Sequence, residues 1–181
     1  MKRVVRRLLG RLRAEDGNSS IEFALALPFV LYSFFAVFEG GMFMTRYVMI
    51  DSAVDQMVRD LRLGKLTDTT FKGLKERVCA RTIVVPNCMT ELKLELMPVN
   101  SSTWTFPTSK VQCVNRSQPI DPLTDAEQAQ IGSSNQTMLI RACVTMDAMF
   151  PTTGIGLRLK KSGDDGYDII TTSAFTNEPK G

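Results

Sequence analysis

The chain has 181 residues, with 22 basic and 19 acidic side chains, a formal charge of +3 and no histidine. The missing imidazole excludes Ser-His and Cys-His nucleophile pairs and histidine metal sites, and no Gly-rich phosphate loop ends in Lys-Ser or Lys-Thr, so any nucleotide chemistry would fall to a partner. The charge is unevenly placed: Lys2, Arg3, Arg6, Arg7, Arg11 and Arg13 stand among the first 17 residues against Glu15 and Asp16, and without these six basic and two acidic groups 16 basic and 17 acidic remain, which makes no case for a nucleic-acid binder.

An apolar run starts at Ile21 and carries through Glu39, Gly40 and Gly41 to Met44. Its uncharged part, 23–38, makes about 24 Å of helix, and extension to Met44 gives about 33 Å, against a hydrocarbon core of about 30 Å. A membrane helix over about 21–44 is expected, with the basic leader in the cytoplasm and the remainder exported. Glu22 is out of place in an ordinary anchor. A charge at the edge of an apolar helix is costly and tends to have a functional reason; the plainer reading is an acid snorkelling into the headgroups. A cleaved secretory signal fits poorly, because F-E-G-G-M-F-M follows the run instead of a small-x-small site, and acids separate the basic cluster from the apolar segment. Pro28 removes an amide donor, which would kink the helix or loosen the carbonyl of Ala24. Glu39, Gly40 and Gly41 are expected at the membrane interface, where the helix leaves the bilayer, with close packing against other helices as the alternative.

Beyond the run, Val48, Ile50, Val54, Met57, Val58 and Leu61 recur at helical spacing with charged residues between them, so one rod is expected to continue to about Leu63 and to offer an apolar stripe to a domain. Gly64 supplies a stop. Asp68 or a neighbouring Thr can cap a second helix carrying Phe71, Leu74 and Val78. From residue 90 the period becomes two: Leu92, Leu94 and Leu96 alternate with Glu91, Lys93 and Glu95. Short strands are expected around Trp104 and Phe106 and over Lys110 to Val114, a short helix over Asp125 to Gln130, and a long strand from Thr137 to Phe150. Tyr167 to Phe175 is its expected antiparallel partner, after a turn at K-K-S-G-D-D-G. The sum is an α+β fold, a long helix packed on an antiparallel sheet.

All four cysteines, Cys79, Cys88, Cys113 and Cys143, follow the membrane segment, where an oxidising compartment would let them pair. Three connectivities are open. The one favoured joins Cys79 with Cys88 around Pro86 and Cys113 with Cys143 between two strands. Spacings of nine, 25 and 30 without a C-x-x-C pair argue against zinc, and no metal site or cofactor is expected. Asp164, Asp165 and Asp168 lack the spacing of a calcium loop and are read as a solvated turn.

The stretch Gly17 to Phe23, G-N-S-S-I-E-F, behind a basic leader and followed by A-L-A-L-P, resembles the processing site of type IV prepilins. In that variant, with a long exported domain, it is similar to the TadE-like pseudopilins of tight-adherence (Flp-type) pilus systems. The resemblance covers Glu15 to about Arg62, and F-T-N-E-P at 175–179 also fits. It implies a prepilin peptidase that cuts between Gly17 and Asn18, which removes the leader 1–17 and leaves a helix over 18–63 and an exported domain over 64–181. It implies as partners other pilins and pseudopilins, an inner-membrane assembly platform with its ATPase, and membrane lipid. Cutting creates an α-amino group, mostly charged at neutral pH, one helical turn from Glu22 and Phe23. In a bundle of staggered helices, Glu22 of one subunit would pair with the amine of its neighbour and set the register. The functional expectation is a minor pilin of a thin adhesive pilus and not an enzyme, since 164 residues after the leader are bulky for a shaft subunit. The alternative is an uncleaved single-span periplasmic binding or sensor protein.

Overall fold

The computed structural model describes residues 19–100, 102–103, 110–117, 129, 132–133, 135–152, 154–159 and 166–177. One helix, α1 (Ser19–Arg62), runs 44 residues, and at 1.5 Å per residue it is about 66 Å long. It passes through Pro28 without interruption. Its end is set by Gly64, whose φ of 63° is left-handed: the Gly64 amide donates to the Leu61 carbonyl and the Lys65 amide to that of Asp60, a Schellman stop that a residue with a Cβ would make at a cost.

Helix α2 (Phe71–Cys79) starts where Thr70 Oγ1 accepts from the Gly73 amide at 3.1 Å, so the cap is Thr70. Asp68 acts one step earlier. Its Oδ1 accepts from the Thr70 amide at 2.9 Å, and that bond holds its carboxyl below the ordinary aspartate range. Leu74 and Val78 face inward, and α3 (Cys88–Glu91) is one turn leading into the sheet.

The sheet has three antiparallel strands in the order β1 (Leu92–Pro98), β2 (Thr137–Met146), β3 (Tyr167–Thr176). The register places Leu94 opposite Ala142, and Ala142 opposite Thr171. Because side chains alternate, one face carries Leu92, Leu94, Ile140, Val144, Ile169 and Phe175. That face meets Ile50, Val54, Met57 and Leu61 of α1, together with Leu74 and Val78, in one apolar cluster. Rod on sheet makes an α+β architecture. α1 lies chiefly against β3, with α2 beside it and toward β1.

Two disulfides join Cys79 to Cys88 and Cys113 to Cys143. The second reaches the other face of the sheet, since Cys143 lies opposite Lys93 and Ile170, away from the α1 side.

Several expectations change. The segment 110–114 is not a strand. It lies over the outer face, tied by Cys113, and the Gln112 amide donates to the Glu95 side chain at 3.0 Å while Lys93 Nζ donates to Gln112 Oε1 at 3.2 Å, so side chains take the place of ladder bonds. β2 stops at Met146, four residues short of the expected Phe150, because the amides of Met149 and Phe150 bond elsewhere. A helix, α4 (Gly154–Arg158), occupies part of the link expected to be a plain turn. Val48 is exposed: two residues before Ile50 is about 200° around the helix, off the buried stripe. Of the helix expected over 125–130 only Ala129 is described, and it is not helical; its amide donates to the Thr69 carbonyl. Trp104, Phe106, Asp164 and Asp165 lie outside the described residues.

Candidate functional site

The first turn of α1 carries Glu22, where the partial positive charge of the helix N-terminus favours an acid. Glu22 and Phe23 are both exposed. Around them Ile21, Leu25, Phe29, Val30 and Phe34 are exposed as well, and no residue of the most apolar 18-residue window of the rod is buried by the rest of the chain. An apolar surface this long and bare is one that water does not favour. The helix is long and apolar enough to cross a membrane, as a single-span protein requires. Gly17 and Asn18, where cutting is expected, lie outside the described residues.

A second station sits about 26 Å further along the rod, at Glu39. Its carboxylate is fully buried and accepts from the amides of Met149 at 3.2 Å and Phe150 at 2.9 Å. Seven residues on, on the same helix face, Arg46 Nη1 donates to the Asp147 carbonyl at 3.0 Å and to the Tyr167 hydroxyl at 2.7 Å. Phe43 stands between them with its ring 5.6 Å from that of Tyr167. The rod therefore grips the end of β2 by its backbone, with an acid for two amides and a base for a carbonyl. Below Glu39 the grip becomes aromatic: Phe150 lies 4.7 Å from Phe35 and 6.0 Å from Phe38.

This station was not foreseen. Glu39, expected at the membrane interface, is buried against the chain and falls in phase with the core stripe, since 39, 43, 46, 50, 54, 57 and 61 advance by threes and fours. An acid and a base in phase with buried apolar residues were the available signal.

Arg116 ties the outer segment to the same place. It donates from Nε to Glu91 at 2.9 Å and from Nη1 to Asp147 at 2.6 Å, and the bond to Asp147, then that to Glu91, raises its guanidinium above its usual value. It borders a half-open cleft of about 330 Å³ together with Asp147, Leu159 and Tyr167. The sulfurs of Cys113 and Cys143 come within 4.8 Å of an Asp168 oxygen, but both are in a disulfide and offer no thiolate to a metal. The Asp168 carboxylate accepts from Thr145 Oγ1 at 2.9 Å.

The rod is the part of the chain that a known family resembles. Residues 17–59 match the family model of TadE-like proteins. The match opens at Gly17, contains Glu22, Glu39 and Arg46, and ends within the stripe that packs on the sheet. It suggests a Tad pilus-related protein. Comparison with curated proteins and with solved structures finds no match.

Proposed function

We propose that the chain is a minor pilin or pseudopilin, cut between Gly17 and Asn18 and then used in assembling a tight-adherence pilus for surface attachment, as primer, tip or minor subunit. The observation that carries this reading is the TadE-like match that opens at Gly17 and runs along a rod whose apolar first half is left largely exposed by its own chain. Such a surface suits a helix that is stored in a bilayer and later packs against identical helices. Asn18 precedes the exposed Glu22 by four residues, the length of one helical turn, so Glu22 can meet a neighbour's amine. Prepilin peptidase, other pilins, and a membrane platform with its ATPase are the partners. The leader keeps the N-terminus cytoplasmic, and the sheet domain stands in the periplasm, where both disulfides are stable.

Among the described residues the cleft beside Arg116 is a place for a periplasmic ligand, but that cation already bonds Glu91 and Asp147.

Coexpression with a prepilin peptidase, followed by mass spectrometry of the N-terminus, tests the reading. The expected product begins at Asn18, and Glu22→Ala is expected to be cut normally yet to give no pili. An intact Met1, a new end far from Asn18, or normal piliation of Glu22→Ala would each overturn it.

A further inference from the structure

After β2 the chain does not turn back at once toward β3. It runs down the rod, away from the sheet. Glu39 holds the amides of Met149 and Phe150, Phe150 packs on Phe35 and Phe38, and Ile155 Cδ1 lies 3.6 Å from where a Cβ on Gly40 would stand. Gly154 is pressed against the Tyr32 hydroxyl so closely that any side chain there would collide with it. Tyr32 is seven residues below Glu39, about 10 Å along the helix axis.

That depth matters because of where a bilayer must sit. If the hydrocarbon begins near Ile21, about 30 Å of helix ends some 20 residues later, near Gly40. Tyr32 and Phe35 then lie inside it. A loop that touches them cannot stay in water unless the rod is drawn outward by about 10 Å, which would put Phe34, Val37 and Phe38 into water.

The outer side of this loop has the matching chemistry. Met149 is 48% exposed and Leu157 63%, while Arg158 beside Leu157 is exposed too. Apolar side chains with an adjacent cation are what the boundary between acyl chains and phosphates accepts. Glu39 does not oppose this depth, because its carboxylate is buried and bonded by two amides.

We infer that the segment from Met149 to Arg158 is a second membrane contact, a shallow foot that inserts Met149 and Leu157 into the outer boundary of the bilayer that α1 crosses. The occupant is lipid and not a second copy of the chain, since the foot is seated on Tyr32, Phe35 and Phe38, side chains of the exposed apolar stretch that a bilayer would cover. The foot would fix how deep the rod sits and how the sheet domain stands over the membrane. It rests on α1 spanning a bilayer and not on leader cleavage or pilus assembly.

The test uses the full chain in vesicles of phosphatidylcholine and phosphatidylglycerol, some lipids carrying a nitroxide high on the acyl chain. An environment-sensitive fluorophore is placed at Leu157→Cys, at Met149→Cys as an independent second site, and at Ile83→Cys, which is 91% exposed on the domain, as the reference. The foot predicts blue-shifted emission and loss of most intensity to the nitroxide at 149 and 157, and neither at 83. Emission at 149 and 157 like that at 83 would overturn it. So would shielding that appears only at high protein-to-lipid ratio, which would assign the surface to a second copy, while an unchanged result on dilution supports lipid.

Discussion

The two halves of α1 are one helix under two regimes. Below Glu39 the rod is apolar on nearly every side and mostly exposed, with Phe29 and Val37 about three-quarters exposed and the loop after β2 resting on Tyr32, Phe35 and Phe38; above it, Ile50 and Met57 are completely buried under the sheet while Asp55 and Arg59 face outward. The difference lies in pattern and not in hydrophobicity as such. A helix with one apolar stripe is satisfied by one sheet, whereas a helix apolar on every side needs lipid or other helices around it. The chain thus closes its own core over the upper half and leaves the lower half for an environment it does not contain.

Truncating the stripe should give the largest effect. Ile50→Ala and Met57→Ala are each expected to destabilise the sheet domain by about 2–5 kcal/mol, through lost burial and the cavity left behind. Phe29→Ala, equally drastic in volume, should change domain stability by less than about 0.5 kcal/mol, because the side chain touches no part of the core. Denaturant unfolding of the full chain in micelles, followed by a signal from the sheet, measures all three. Equal losses at Phe29 and Ile50 would erase the distinction between the halves.

The disulfides come next, and their loops rank them. The Cys113–Cys143 bridge closes 30 residues and Cys79–Cys88 closes nine. On the chain-entropy account these are worth about 3.6 and 2.6 kcal/mol. Replacing each pair by serines should therefore lower stability more for the staple on the outer face of the sheet, and the reverse order would show that local packing around Cys79 outweighs loop length.

Much of this fold could be read from residue order, for reasons that also explain what could not. The rod, its stop at Gly64 and the alternation of β1 are local signals: periodicity, a left-handed glycine, and a two-residue repeat with one wet face. Segment 110–114 failed because its pairing is with side chains of β1 and with Cys143, contacts distant in sequence that leave no period. The end of β2 failed similarly, since what stops it is a carboxylate more than a hundred residues away. Glu22 was legible as an odd acid in an apolar helix, whereas Glu39 was judged by its place near the end of the run. Its helical phase, shared with Ile50 and Met57, was the better guide.

Glu39 also gives the finest probe of the boundary between the halves. Replacing it with glutamine keeps the shape but leaves one acceptor oxygen where two amides now have one each, and a buried donor without a partner costs about 1–3 kcal/mol. The loss should be local, because the sheet core does not depend on the loop after β2. Amide exchange at Met149 and Phe150 is expected to accelerate in Glu39→Gln while that of Ile140, in the middle of β2, stays slow. If exchange at Ile140 rises in parallel, Glu39 supports the whole domain, and the seam between the covered and the bare rod lies lower than this carboxylate.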